Sequence, residues 1–187
     1  MLIKPPRLLY LPNEPVLGWQ TGPRRYFDEA AARGQLGGYE TVSFEFEAAR
    51  IRDDEAVCRQ IYQTAETFQP DILLWQHIAN FRISREFLRR LKNLPSRPTL
   101  VYHEADMYGS LREIKTPSKS MKLLAAEADL TFVVGLGKSH LIQGDGFAGR
   151  QETHDHVFQS TLGGDGGHTE FDVLAAVFFE LDLAILG

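Results

Sequence analysis

The sequence PDILLWQH at residues 70–77 is the first of three similar apolar runs; PTLVYHEAD follows at 98–106 and DLTFVVG at 129–135. Each run is short and stops abruptly at polar or glycine residues, as strands buried on both faces do. Such strands form parallel sheets covered by helices, whose ligands bind just beyond the carboxyl ends of the strands. The three runs therefore predict a fold class and the sheet edge at which a ligand site lies.

Outward from these runs, strands and helices alternate as far as residue 137. Strands are predicted at 7–11, 39–46, 71–76, 99–102 and 130–134, with helices at 23–33, after Asp53, after Ser84 and at 121–128. The pattern predicts an α/β fold, a Rossmann-like doubly wound parallel sheet of about five strands with helices on both faces. If the strand order is 3-2-1-4-5, the first strand lies beside the fourth, and the loop at 12–22 faces residues 103–109.

Composition narrows the class of protein. The chain has 187 residues, 43% of them hydrophobic, which suits a single core. Its net charge of -5 offers no basic field, so no nucleic-acid partner is expected. Cys58 is the only cysteine, which excludes an internal disulfide and a multi-thiolate metal site. No apolar stretch has the length of a signal peptide or a membrane span, so a cytoplasmic location is the expectation.

The character of the sequence changes after residue 137. Nine of the 16 glycines lie between Gly135 and Gly167. We therefore predict a Rossmann-like domain at 1–137, followed at 138–187 by a Gly-rich linker and an apolar C-terminal segment. The apolar residues of 171–186 are expected to pack against the sheet domain or a second copy of the chain, or to begin a second domain.

The first predicted loop, PNEPVLGWQTGP at 12–23, is longer than the two to six residues usual for a strand-to-helix connection. It contains Asn13, Glu14, Trp19 and Gln20, which can stack on a sugar or base and hydrogen-bond its edges. The alternative is that Trp19 and Val16 only cover the end of the sheet. Both interpretations place the loop at the ligand-binding edge.

The sequence HEAD at 103–106 is the predicted chemical centre. If the strand continues, Glu104 and Asp106 point to one side and His103 to the other. One carboxylate, or the imidazole, can then act as a general base, an effect typically worth about 10²–10⁴ in rate. Alternatively, Glu104 and Asp106 hold a divalent cation through their oxygens, or they cap the next turn and pair with Arg112 or Lys115.

Two neighbouring residues are weaker candidates. Tyr108 shapes the turn after HEAD, and His77 ends the preceding strand, where a structural role is favoured over binding. Three other patterns fail on their context: GLGKS at 135–139, GDGFAG at 144–149 and HDH at 154–156 lack the glycine, strand or spacing that phosphate, dinucleotide or zinc binding needs. The sequence thus predicts no cofactor and no metal.

Four segments together resemble a known family: YLPNEPVLGWQTGPRRYFDEA (10–30), PDILLWQHIANF (70–81), RPTLVYHEADMYG (97–109) and AAEADLTFVVGLG (125–137). The succession is similar to the amino-terminal Rossmann-like half of B-type-fold glycosyltransferases, in particular the CgeB or spore-maturation-like group. The resemblance spans about residues 7–137. It implies transfer of a sugar from a nucleotide-sugar donor to an acceptor hydroxyl.

In such enzymes the first half mainly holds the acceptor and can supply the base. The candidates for the base, by this resemblance, are His103, Glu104 and Asp106. The acceptor side would comprise Asn13, Glu14, Trp19, Gln20, His77, Tyr108, Gly135 and Gly137.

The sequence departs from the family in its second half. The half that grips the nucleotide sugar is represented only by TEFDVLAAVFF at 169–179, which resembles its first strand. The resemblance therefore predicts an activity that is incomplete in this chain, with a donor-binding chain or a homo-oligomer as the implied partner. The alternative is a non-catalytic binding or partner module built on the same sheet.

Overall fold

The computed structural model describes residues 4–78, 80–104 and 118–133. Four of the predicted site residues lie outside this part of the chain: Asp106, Tyr108, Gly135 and Gly137. The segment 138–187, with its predicted linker and packing segment, also lies outside it. The predicted Rossmann-like region is therefore described up to residue 133, apart from its gaps.

The described residues form one sheet of five strands. They are β1 (Leu8–Leu11), β2 (Tyr39–Thr41), β3 (Ile72–Gln76), β4 (Thr99–Glu104) and β5 (Leu130–Val133). Every neighbouring pair is parallel, in the order β2-β1-β3-β4-β5. The predicted doubly wound α/β fold is confirmed.

The strand order considered from the sequence, 3-2-1-4-5, is wrong. β3 lies between β1 and β4, pairing Leu74 with Tyr10 on one side and with Val101 on the other. All five residues of β3 are buried, as the centre of a sheet requires. The order in which successive strands are added therefore reverses between β1 and β3, and the crevice of this switch point opens between their carboxyl ends. The first loop adjoins the end of β3 and not that of β4.

Five helices connect the strands: α1 (Thr21–Ala32), α2 (Phe44–Ile51), α3 (Asp54–Phe68), α4 (Arg85–Lys92) and α5 (Lys119–Glu127). Asp53 caps α3 by accepting from the Ala56 amide at 3.0 Å, and Ser84 caps α4 by accepting from the Phe87 amide at 3.1 Å. Both helix starts follow the sequence prediction. In the described part of the chain, no helix has the length and apolar character needed to cross a membrane.

The second strand is shorter than predicted. It ends at Thr41, and α2 begins at Phe44 inside the stretch expected to be extended. Phe44 packs against Trp75, with ring centroids 5.5 Å apart, while Glu45 in the first turn suits the positive end of a helix. Burial of the aromatic ring and the helix dipole together outweigh the alternating pattern.

The core has two layers, one on each face of the sheet. One layer joins Leu8, Tyr10 and Leu74 to Phe27 of α1, and we call this side the α1 face. The other joins Leu73, Trp75 and Tyr102 to residues of α2, α3, α4 and α5, and we call it the α3 face. Successive residues of each strand alternate between these faces. This alternation decides which polar side chains meet at the end of the sheet.

Candidate functional site

The β1–α1 loop contains a fully buried carboxylate, that of Glu14. It accepts hydrogen bonds from the amides of Gln20 at 3.0 Å and Gly18 at 3.2 Å, and from the Ser43 hydroxyl. The two terminal nitrogens of Arg24 donate hydrogen bonds to its two oxygens at 2.9 and 2.5 Å. Burial alone would raise the pKa of Glu14, but the hydrogen bonds outweigh it and lower the pKa to about 2. Glu14 is therefore an ionised anchor for the loop.

This role differs from the one predicted for Glu14. Its carboxylate is enclosed by protein donors, so it does not present an oxygen to an acceptor molecule. Two arginines in the first turn of α1 have different partners. Arg25 pairs with Glu29 on the surface at 3.2 Å, whereas Arg24 binds Glu14 instead of Asp28. The internal ion pair of Arg24 joins the start of α1 to the loop before it.

The anchored loop presents three apolar side chains to solvent. Val16, Leu17 and Trp19 are 62%, 63% and 66% exposed. Gly18 takes the left-handed conformation between them, with φ of 79°, and the Gln20 side chain donates to the Asn13 carbonyl at 3.3 Å. Trp19 and Val16 therefore do not bury themselves against the end of the sheet. Trp19 stands at the ligand-binding edge as an exposed aromatic surface, adjoining a shallow pocket formed with residues 20–22.

On the α3 face, the ends of β3 and β4 bring a histidine to a buried glutamate. Nδ1 of His77 is hydrogen-bonded to one oxygen of Glu104, and the Tyr102 hydroxyl donates to the other. Glu104 is fully buried, while the His77 side chain retains 15% of its surface. The backbone fixes the pair, because the His77 amide donates to the His103 carbonyl at 2.7 Å. The result is an imidazole oriented by a carboxylate at the carboxyl edge of the sheet.

On the α1 face, a second polar row crosses the same edge. The Tyr10 hydroxyl donates to Oε1 of Gln76 at 2.6 Å, and Gln76 is the strand partner of His103. His103 is 3% exposed. Burial, outweighing the opposing effect of Glu104, lowers its pKa to about 4, so the imidazole is uncharged at neutral pH.

Two of the predicted base candidates thus lie in different surroundings. His103 and Glu104 lie on opposite faces, as the alternation of a continued strand predicts, and both are buried. Glu104 is bonded to His77, which the sequence suggested only weakly, and not to His103. Within 4–78, 80–104 and 118–133, no group of three or more His, Cys, Asp or Glu side chains is placed to hold a metal ion.

Sequence reasoning missed the supporting residues of these clusters. Tyr10, Gln76 and Tyr102 were treated as strand residues, and Ser43 as part of a longer strand. The available signal was their position, since each lies within two residues of the carboxyl end of a strand. Polar atoms at that end of a parallel sheet are where a ligand site forms.

His103 gives the fold a specific pH dependence. Its pKa falls from an ordinary 6.5 in the unfolded chain to about 4 when folded, with Glu104 and His77 acting on it in opposite directions. As the pH falls from 6.5 to 4, His103 is protonated in the unfolded chain but stays neutral in the folded chain. The unfolding free energy therefore decreases. Over this range the unfolding free energy of the wild type should fall by up to about 3 kcal/mol more than that of His103→Leu. Urea unfolding of both proteins at several pH values measures the difference, and parallel curves would contradict it.

No known protein-family profile matches the chain, and no curated protein matches it. Among solved structures, it is similar to the signal receiver domain of a putative LuxO repressor protein from Vibrio parahaemolyticus. The TM-score is 0.40 at 12% sequence identity, and the match covers 73% of this chain and 83% of that one.

Proposed function

We propose that the chain is the acceptor side of a glycosyltransferase. In this proposal it binds a hydroxyl-bearing acceptor at the carboxyl end of its sheet, and His77 takes the proton from the attacking hydroxyl. That oxygen then bonds to the anomeric carbon of a nucleotide sugar, and the nucleoside diphosphate leaves. The donor is held by a second copy of this chain, so the purified protein is expected to suffice for transfer. The family resemblance supplies the reaction, and the site supplies the residues.

The observation that carries the proposal is the pairing of His77 with the buried Glu104. A neutral imidazole that donates its Nδ1 proton to a carboxylate keeps Nε2 as a proton acceptor, which is the form a general base needs. The Tyr102 hydroxyl on the second oxygen fixes the rotamer of the carboxylate. A histidine so oriented is a recurring means of activating a hydroxyl nucleophile.

Trp19 completes the proposed site as a stacking surface. An indole ring packs against the apolar face of a sugar or against a base, while polar groups read its edge. The internal bonds of Glu14 hold the loop on both sides of Trp19, at Gly18 and Gln20. A surface that is ordered before binding loses less entropy on binding.

Sugar transfer by the purified chain tests the proposal. The chain is mixed with nucleotide sugars carrying different bases and with a panel of mono- and disaccharide acceptors, and release of nucleoside diphosphate is followed. The expected result is a release that depends on the acceptor and saturates with its concentration. If no donor and acceptor pair gives release above the background without protein, the catalytic proposal is wrong.

Trp19→Ala is expected to weaken acceptor binding. Loss of one stacking contact, worth about 1–2 kcal/mol, should raise the acceptor KM about 5–30-fold with little change in kcat. Leu17→Ala is the matched control, because Leu17 lies in the same loop and is equally exposed but has no ring. Equal effects of the two substitutions would show that the acceptor binds this loop by general apolar contact and not by stacking.

A second candidate function is a non-catalytic partner module. The exposure of Val16, Leu17 and Trp19 on one loop favours it, because adjoining apolar side chains on a surface mark contact sites. Under this candidate, acceptor-dependent release is absent, and substitution of Leu17 or Trp19 weakens association with the partner equally. The release assay therefore separates the two functions.

A further inference from the structure

Buried polar atoms in folded proteins are almost always hydrogen-bonded, and each exception calls for an explanation. Within the described part of the chain, four buried side-chain atoms lack a partner: Trp75 Nε1, Ser96 Oγ, His103 Nε2 and Thr131 Oγ1. Trp75 is enclosed by the rings of Phe44, Phe81 and Phe87. Ser96 precedes β4, away from the carboxyl edge, whereas Thr131 lies on the α3 face of β5, two residues before its carboxyl end and in register with Tyr102. On the α1 face, His103 alone among the described residues combines an unpaired atom with a position at the carboxyl edge, where it adjoins Gln76 and Tyr10.

We infer that His103 contacts a ligand: its Nε2 hydrogen-bonds a hydroxyl of a neutral, polyol-like molecule on the α1 face of the sheet edge. The inference deepens the proposed function, on which it rests for identifying that molecule as the acceptor. His103 is then a binding residue and His77 the base. The two histidines act from opposite faces of the same strand ends.

The neighbours of His103 determine the class of ligand. Gln76, its strand partner, directs Oε1 to the Tyr10 hydroxyl, so the remaining hydrogen-bonding atom of that amide is a donor, Nε2. The titratable groups that act on the pKa of His103 are Glu104 and His77, and both lie on the α3 face. An uncharged imidazole beside an amide suits a hydroxyl, which both donates and accepts, better than a free anion. A sugar or other polyol meets this requirement.

The inference also accounts for the presence of a polar side chain at this buried position. A buried polar atom without a partner costs stability, and an apolar side chain of similar size would remove that cost. Stability exchanged for recognition is common at binding sites. The inference therefore makes two linked statements: without ligand His103 destabilises the fold, and with ligand its Nε2 is paired.

Nuclear magnetic resonance of the whole chain, with histidine rings labelled with ¹⁵N, tests the binding statement. The His103 signals are assigned by their loss in His103→Leu, and the wild type is titrated with glucose, galactose, myo-inositol and glycerol, then with inorganic phosphate and acetate. At least one polyol should shift the His103 Nε2 signal saturably, and the two anions should not. If no polyol shifts it, or if only the anions do, the inference is wrong.

Thermal unfolding tests the stability statement. The midpoint of ligand-free His103→Leu should equal that of the wild type or exceed it by at least about 2 °C, measured at pH 7. The same variant should bind the responding polyol at least tenfold more weakly, followed by the Trp19 indole signal. A lower midpoint would show that His103 has a structural role and would overturn the inference.

Two further variants separate this result from others. Ser96→Ala removes another unpaired buried hydroxyl, at the opposite edge of the sheet, and should leave the polyol response unchanged. His77→Gln should strongly reduce sugar transfer while leaving the polyol shift at His103 intact. A variant that loses transfer but keeps the polyol shift is defective in the base and not in acceptor binding. A variant that loses the shift but keeps transfer is defective only in the contact with His103.

Discussion

Glu14→Gln is expected to lower the unfolding free energy by about 3–5 kcal/mol at pH 7, because it leaves Arg24 without its counter-charge in a partly buried site. The Arg24 side chain is only 20% exposed, and Glu14 is fully buried. In the wild type the two carboxylate oxygens of Glu14 share four donors: the Arg24 guanidinium, the Ser43 hydroxyl and the amides of Gly18 and Gln20. Glutamine offers these donors a single acceptor oxygen. Urea unfolding followed by circular dichroism measures the change.

Glu29→Gln is the matched control. Glu29 is also paired with arginine, with Arg25 at 3.2 Å and Arg33 at 3.5 Å, but its side chain is 47% exposed. Exposed pairs contribute about 0–1 kcal/mol, so the same chemical change should cost little there. Equal effects of the two substitutions would contradict a special role for the buried anchor.

The destabilisation by Glu14→Gln should depend on pH in one direction. The pKa of Glu14 is lowered from an ordinary 4.5 to about 2, so the charged form stabilises the fold fully above pH 4.5. As the pH falls from 4.5 towards 2, the folded carboxylate is protonated later than the unfolded one, and this stability is lost. The gap between wild type and variant should narrow over that window by about 3 kcal/mol. A gap that stays constant would mean that the charge of Glu14 does not stabilise the fold.

The sequence predicted the fold well where a local signal exists. The run at 72–75 predicts a central strand from its own residues, because consecutive apolar residues bounded by polar ones fit a strand that is buried on both faces. Caps such as Asp53 and Ser84 act within three residues and are equally local. The neighbour of β1 was not predictable in this way. Parallel strands pair across crossovers, and the choice between β3 and β4 depends on the packing of the whole domain.

The same distinction applies to the site. The edge of the sheet and most of the candidate residues could be named, since polar residues follow the apolar runs. Their roles could not, because each role depends on a distant partner. Glu14 meets Ser43 from 29 positions away, and His77 meets Glu104 from 27 positions away. These contacts turned Glu14 from a proposed binding residue into an anchor, and raised His77 above His103 as a base.

His77→Gln is expected to reduce acceptor-dependent sugar transfer about 10²–10⁴-fold in kcat, the usual contribution of a general base. Glutamine occupies similar space and can still hydrogen-bond Glu104, but it cannot take up a proton. The acceptor KM should change less than about threefold, because Trp19 and the α1 face remain intact. Initial rates of nucleoside diphosphate release over a range of acceptor concentrations separate the two parameters.

Glu104→Gln and Tyr102→Phe distinguish orientation from proton transfer. Both keep His77, so each should lower kcat less than His77→Gln does, with Tyr102→Phe the milder because it removes a single hydrogen bond to the carboxylate. If an imidazole is the base, the wild-type kcat should depend on pH in a way that the residual rate of His77→Gln does not. A His77→Gln protein that retains the wild-type rate and pH profile would remove His77 from the mechanism. The paired histidine would then be a structural feature of the strand ends, and the exposed surface of Val16, Leu17 and Trp19 would become the principal functional feature of the chain.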